Sequence, residues 1–448
     1  MEQYQEVNVT SRMAAALFLL SIYLLPFSYA IKKQIGISDE FRWIDPTLLL
    51  SMVTAICCYK SIGMLVKRSR QFSVAVLLSL FFWLSAVVNL LGRPADSLYV
   101  ALREPMRILL AVTFLACCLL FLRHERVRSA ALRIFGLLTI FELLYGIYLL
   151  LIPIFSWIPA PTVLKSYAVD YLLRQTMSLG GVFRLPRMAG TFDEAPIFGL
   201  FMFGMFLVFH VCRREIPRAR YRIYASAAFA GAMLSASTQI VGAFCGWLAV
   251  GLVARYLSVL RDFIAHRRSR RLAIVSLAFL TIVAVPAGTV AYCAIASKLD
   301  NYSSSRAVYG ASVGERAWHA HVAFSLLGKS LETVALGVGP GRYGEFAAKL
   351  NSQFKENVTV QILPVDVLIA CGVCGFALLL LWLLIVGVNT HAAHGAEGIA
   401  ALIALLIADC FQANWVWEIV FIAIAFFSRR GRRYFGCRVG SDFGRRAA

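Results

Sequence analysis

Acidic residues are scarce in this chain. Asp and Glu number 24 against 44 Lys and Arg, and charged residues make up only 15% of the 448. Soluble domains carry roughly 25% charged residues, so a water-soluble globular fold is excluded at the outset. The few acids form no cluster with metal-ligand spacing outside the apolar runs, which argues for chemistry without a metal or other cofactor. A disulfide framework is also excluded. Most of the 11 cysteines, such as Cys57, Cys58, Cys117, Cys118, Cys245, Cys293 and Cys410, lie inside apolar runs, where they behave as small hydrophobes. The Cys371–Cys374 pair lacks partner ligands, and His391 and His394 share a short turn with no further donors. No glycine fingerprint follows a strand, which removes the dinucleotide-binding fold.

What abounds is apolar sequence, at 60% of residues. A helix crosses the hydrocarbon core with about 20 apolar residues. That length predicts about 12 transmembrane helices, at 13–30, 46–66, 72–91, 105–122, 131–152, 194–212, 223–237, 240–257, 272–297, 361–388, 397–412 and 414–428. The chain reads as an all-α polytopic integral membrane protein, a single transmembrane domain over 1–448. Met13–Ala30 counts as a span, because it lacks a strongly basic leader and a small-residue cleavage site. The last two segments are short enough to form one bent span instead.

The net charge of +20 is mostly a topology signal. The connections Val66–Arg70, Arg123–Arg128, Arg213–Arg222 and Arg261–Arg271 are basic, as is the tail with Arg429, Arg430, Arg432 and Arg433. All fall on one side, which the positive-inside rule assigns to the cytoplasm with both termini. Arginines dispersed in short loops, with no binding fold between them, argue against a nucleic-acid partner. The opposite side carries Lys32–Asp45, Gly92–Glu104, Pro153–Arg187 and Lys298–Val360. In the loop over 153–190, Val163, Leu164, Tyr167, Tyr171 and Leu172 recur at helical spacing, which predicts an interfacial helix within Val163–Ser178. The large loop over 298–360 is expected to be partly helical, since Ser312 and Glu315 form a capping-box pattern.

The stretch around which the rest is organised is RLPRMAGTFDEAP, Arg184–Pro196, leading directly into the apolar run Ile197–Phe209. Arg184, Arg187, Asp193 and Glu194 are thereby clustered at the mouth of a span. Charge in that position is a site hypothesis, and headgroup anchoring of the helix is the plainer alternative. In the large loop, Arg316 and His319 lie three apart and share a helical face. GVGPGRYG, with Gly337, Gly339, Gly341 and Gly344, can turn N–H groups toward an anion with Arg342 adding charge, or can be a flexible turn between loop helices. Asp409, Trp415 and Glu418 flank the last hairpin, as cavity lining or as helix-end anchors.

Taken in order, these features resemble the O-antigen polymerase and ligase superfamily of bacterial envelopes. Arg187 with Gly190, Phe192 and Pro196 matches the family's arginine before G-x-F-x-x-P. Ser237, Thr238 and Gln239 occupy its polar turn, with Gln239 where an arginine is often seen. Arg316, Gly337, Gly339 and Gly341 match its loop, and Gly372 and Gly375 its paired glycines, so the resemblance covers Arg184 to Gly375. Ligases of the family carry a histidine near the start of the span before those glycines. Here that position region holds Gln361, which points to a Wzy-type repeat-unit polymerase. The resemblance implies a GT-C-like architecture in the bacterial inner membrane, with the active site facing the periplasm. It implies a polyprenyl-diphosphate-linked oligosaccharide substrate, contact with membrane lipid, and a chain-length regulator and a flippase as partners. On it, Arg187 and Arg316 face the diphosphate, supported by Arg184, Arg306 and Arg342, while Asp193, Glu194 or Asp366 serves the acceptor hydroxyl. His319, Gly339, Gly341 and Gln239 complete the expected binding set. A lipid-oligosaccharide flippase is the rival of another class, and internal repeats with matching broken spans, its usual mark, are missing.

Overall fold

The computed structural model describes residues 9–35, 45–92, 98–152, 155, 176–179, 183–186, 188–192, 194–265, 312–350, 363–410 and 417–429. Of the predicted spans, 272–297 lies outside the described residues, as do most of 153–190 and the loop portions 298–311 and 351–360. The described chain is mostly helical. Its helices are α1 (Val9–Leu24), α2 (Ser28–Ile35), α3 (Pro46–Cys57), α4 (Tyr59–Arg68), α5 (Arg70–Gly92), α6 (Leu98–Phe121) and α7 (Glu125–Leu151). After a hairpin of β1 (Thr176–Leu179) and β2 (Phe183–Pro186) come α8 (Ala195–Val211), α9 (Arg218–Leu234) and α10 (Thr238–Ala265). The loop helices are α11 (Ser312–Leu327), α12 (Leu331–Leu336) and α13 (Tyr343–Leu350), followed by α14 (Leu363–Cys410) and α15 (Trp417–Phe427).

Among the described residues, four helices are long and apolar enough to cross a membrane, at Arg70–Gly92, Ala101–Phe121, Glu125–Leu151 and Leu363–Asp409, or five if the bent pair α3–α4 is one span. Shorter apolar helices occupy Arg12–Leu24, Ala195–Val211, Gln239–Val253 and Glu418–Phe427, while the helix over the predicted span 223–237, Arg218–Leu234, does not qualify as one of them.

Several expectations are corrected in detail. The segment 46–66 is not one straight span, because α3 and α4 meet at 90°. Asp45 starts α3 by accepting the Thr47 N–H at 2.8 Å, with Pro46 in the first turn. The continuation carries exposed Lys60, Lys67 and Arg68, whose charges cannot follow α3 into an apolar layer. The segment 13–30 likewise breaks between Leu24 and Ser28, at Pro26, which has no N–H to give a helix. The region 388–397, expected as a turn, is helical, with non-helical backbone at Gly395 only. Thr176–Ser178, the end of the expected interfacial helix, is instead strand, and pairs antiparallel with Arg184–Pro186.

The core is organised around α8. A helix apolar on every side has no face to offer water, so it lies inside. Ile197, Phe198, Leu200, Phe201, Met202 and Phe203 are all completely buried. The polar segment that precedes α8 is thus tied to the least mobile part of the fold.

Among the described residues, the connections around 71, 123–128, 213–215 and 389–397 meet the end of α15 at one end of the bundle. Arg128, at the start of α7, donates from Nε to Glu215 Oε2 at 2.6 Å and from Nη2 to Glu215 Oε1 at 2.9 Å. Its Nη2 also reaches Cys212 Sγ and the carbonyl of Phe426 in α15. Arg213 pairs with Glu397 at 2.8 Å, and Gln71 accepts from Asn389 and Ser428. Arg128 is only 3% exposed. Removing one partner of such a pair strands a buried charge, at about 3–5 kcal/mol. Glu215→Ala is therefore expected to destabilise by that order, and the double variant Arg128→Met with Glu215→Leu to recover most of it. Thermal unfolding of the purified protein measures both, and equal losses in single and double variants would remove the pair from this role.

Candidate functional site

The segment Arg184–Pro196 is built from both ends. Arg184 lies in β2, opposite Ser178 of β1. Beyond the hairpin, the Met188 N–H donates to the carbonyl of Leu234, at the end of α9, at 3.1 Å. Gly190 takes φ +58°, and a Cβ there would meet Glu142 Oε2 at 2.3 Å. Thr191 donates its N–H to Glu142 Oε2 at 2.9 Å, and its hydroxyl lies 2.6 Å from Glu142 Oε1 and 2.7 Å from the carbonyl of Pro26. Phe192 packs on Phe198 and Phe201 of α8. Glu194 is the N-cap residue of α8, half-buried, and its side chain does not cap the helix, while Pro196 sits in the first turn, where proline is tolerated. Met188–Phe192 is therefore held by α7, α8, α9 and the α1–α2 turn at once. Arg187 and Asp193, which flank it, lie outside the described residues, as does Arg306.

The turn from α9 to α10 borders the first turn of α8: a Cβ on Gly199 would meet Ser235 Oγ at 2.6 Å and Ile240 at 3.0 Å. Ala236 holds φ +47° there. Gln239 is 9% exposed, and its Nε2 finds no hydrogen-bond partner among the described residues.

The large loop forms a second group. α11 begins at Ser312, as expected, and carries position 316 one turn before His319. Tyr343 OH donates to the carbonyl of His319 at 3.1 Å and lies 2.8 Å from His319 Nδ1. Burial, followed by the nearby charge of Asp366, pushes the Tyr343 phenol up. Asp366 itself lies in the first turn of α14.

The glycine turn is tied into the fold through the N–H groups of residues 337–339. The N–H groups of Gly337, Val338 and Gly339 donate to the carbonyls of Thr333, Ile369 and Ala370, at 2.9, 2.8 and 3.2 Å. Those of Val338 and Gly339 join the loop to α14 close to its break at Gly372, and that of Gly337 closes the end of α12. Ser85 of α5 closes the junction, its hydroxyl lying 2.8 Å from the carbonyl of Leu336 and 3.0 Å from that of Ala370. Arg342 is equally committed, to Glu345 Oε2 at 3.1 Å and to the carbonyl of Asn89 at 3.1 Å, with 3% exposure. Its charge is compensated inside the loop, and Gly339, Gly341 and Arg342 act here as joinery.

The described residues thus unite His319, Gly339, Gly341, Arg342 and Asp366 in one group, and Glu194 with Gln239 in the other. Two features escaped the sequence reading. One is Glu142, a completely buried acid inside α7. The other is the pair Lys32–Asp45 at 3.1 Å, where Ser28 also donates to Asp45. Burial works against the Asp45 charge, but Lys32, Ser28 and the Thr47 N–H outweigh it and hold the carboxyl below its ordinary value. Asp409 and Glu418, at 4% and 7% exposure, are buried groups and not surface anchors. A small apolar crevice lies between α5, α6, α14 and α15, lined by side chains that include Leu78, Phe82, Ile108, Val112, Val367 and Trp382.

Among the described residues, no group of three or more His, Cys, Asp or Glu is arranged to hold a metal ion. Chemically, the arrangement offers a rigid polar turn at the mouth of a buried helix and a loop locked to a neighbouring helix break. Compared with known proteins, the chain matches no protein-family model and no curated sequence.

Proposed function

We propose that the protein is a membrane glycosyltransferase, a polymerase that joins polyprenyl-diphosphate-linked oligosaccharide repeat units into O-antigen, capsule or exopolysaccharide. The observation that carries this reading is the anchoring of Met188–Phe192 at the mouth of buried α8, on the end of the bundle away from the arginine-rich connections. With basic loops in the cytoplasm, that end faces the periplasm of a bacterial inner membrane, within an architecture of about 12 spans of GT-C type.

In the reaction, the bond from the anomeric carbon to the lipid diphosphate breaks as the acceptor hydroxyl oxygen bonds to that carbon. Arg187 and Arg316 take up the charge of the departing diphosphate. A carboxylate, Asp193, Glu194 or Asp366, receives the hydroxyl proton. The chemistry proceeds without a metal, and a chain-length regulator and a flippase work beside it.

The test is the surface polysaccharide of a deletion strain, resolved on a gel. A polymerase loss leaves single repeat units on the core. Complete loss of attached units would instead identify a ligase, and failure to export any unit a flippase.

A further inference from the structure

Glu142 belongs to no motif, yet its carboxyl meets the backbone of the Arg184–Pro196 segment. A charged acid buried in an apolar helix is costly, and packing alone would be better served by leucine. Its hydrogen bonds also count in an informative way. Thr191 has one hydroxyl proton and two oxygen neighbours, the Pro26 carbonyl at 2.7 Å and Glu142 Oε1 at 2.6 Å. One proton cannot serve both acceptors. The Pro26 carbonyl has no proton to lend, so a protonated carboxyl is the arrangement that gives both contacts a proton of their own. Every group is then satisfied: Glu142 Oε1–H donates to Thr191 Oγ1, Thr191 Oγ1–H donates to the Pro26 carbonyl, and the Thr191 N–H donates to Glu142 Oε2 at 2.9 Å.

We propose that Glu142 is a positioning residue for the Arg184–Pro196 site, acting as a neutral carboxylic acid that clamps Thr191 between α7 and the α1–α2 turn. The claim rests on reading that segment as the polymerase site. Glu142 touches no substrate. Its work is done through the turn Gly190–Thr191, which passes so close that only glycine fits beside the carboxyl. Met188 completes the docking one turn further along α7, where its side chain covers Gly146 so closely that a Cβ there would lie 2.5 Å from Met188 Cγ. The short span from Met188 to Phe192 therefore leaves little freedom in where its two ends, next to Arg187 and Asp193, are delivered.

The experiment uses full-length protein in lipid nanodiscs, with three variants and three readouts. Glu142→Gln keeps one acceptor and one donor in the same places, with a single amide N–H left over. Glu142→Ala removes both, and Thr191→Val removes the bridge. In the infrared, a carboxylic-acid C=O band should be present at neutral pH and vanish in Glu142→Gln; loss of a carboxylate band instead would overturn the neutral acid. In hydrogen exchange, the Thr191 amide should lose protection in Glu142→Ala and keep most of it in Glu142→Gln; unchanged protection in Glu142→Ala would remove the clamp. In a polymerase assay with lipid-linked oligosaccharide, kcat should fall roughly 10- to 100-fold in Glu142→Ala and Thr191→Val with little change in KM, and recover substantially in Glu142→Gln. A wild-type kcat in Glu142→Ala would overturn the positioning role. If the unaltered protein makes no polymer, the function reading fails, while the infrared and exchange results still decide whether Glu142 is the neutral clamp.

Discussion

Gly372→Ala is expected to detach the large loop from the membrane helices and to lower stability by several kcal/mol. Gly372 holds φ +64° and ψ −168°, a region essentially restricted to glycine, where another residue costs on the order of 1–3 kcal/mol. A Cβ there would also lie 2.4 Å from the backbone C and O of Ala335. Backbone cannot swing aside as a side chain can, so overpacking of about 1–3 kcal/mol is added. The contact is reciprocal: Gly337, at φ +76° and ψ −171°, would drive a Cβ to 2.5 Å from Ala370. Gly337→Ala should therefore match Gly372→Ala, and the two should not add, because they disturb one junction. Gly395→Ala is the control. It shares φ +64° but meets nothing within 4 Å, so it carries the backbone cost alone. Thermal midpoints of the four proteins settle the matter, and equal midpoints for Gly372→Ala and Gly395→Ala would mean the loop is not locked at this point.

Arg187→Ala should leave the polymerase nearly inactive at normal protein abundance. Under the proposed function, Arg187 meets the lipid diphosphate at the membrane surface, beside the anchored Met188. A charge-assisted hydrogen bond contributes roughly 1.5–3 kcal/mol, so losing a two-pronged contact predicts a rate fall of at least about tenfold. Arg187→Lys keeps the charge and loses the planar fork, and should be clearly impaired. Full-length polymer at wild-type yield from Arg187→Ala would reduce the residue to a headgroup anchor.

The helical, membrane-length apolar character of the chain was legible because apolar length follows from bilayer thickness, and four or five helices among the described residues meet that length. What hydropathy averages away is direction. The residues 46–66 are apolar on the mean, yet the chain turns at Cys58 once Lys60, Lys67 and Arg68 must find water. The glycines at 337, 339 and 341 were visible as a turn, but their purpose was not. The N–H groups of Val338 and Gly339 bind carbonyls of α14, about thirty residues further on, and no local spacing rule reports a long-range backbone approach. Arg342 was singled out for its charge, and the partner that neutralises it, Glu345, stood three residues away in plain view. Glu142 was also within reach of the sequence. It is an ionisable residue inside a span, which is itself a reason for suspicion, and it was passed over because it stands alone in its apolar run. Its partner, Thr191, is 49 residues distant, and only the fold brings the two together.

The clamp at Arg128 has a bearing on how the protein is made. Its guanidinium is held from two directions, by Glu215 and by the carbonyl of Phe426, which is 298 residues downstream. At roughly 5–20 residues per second of synthesis, that final acceptor leaves the ribosome about 15–60 seconds after Arg128. Through this interval a nascent chain carries an arginine whose resting place does not yet exist, and the insertion machinery must keep the start of α7 near water until α15 arrives. A chain cut short before α15 would be left with that vacancy permanently, which gives membrane proteases a local mark by which to tell unfinished copies from finished ones.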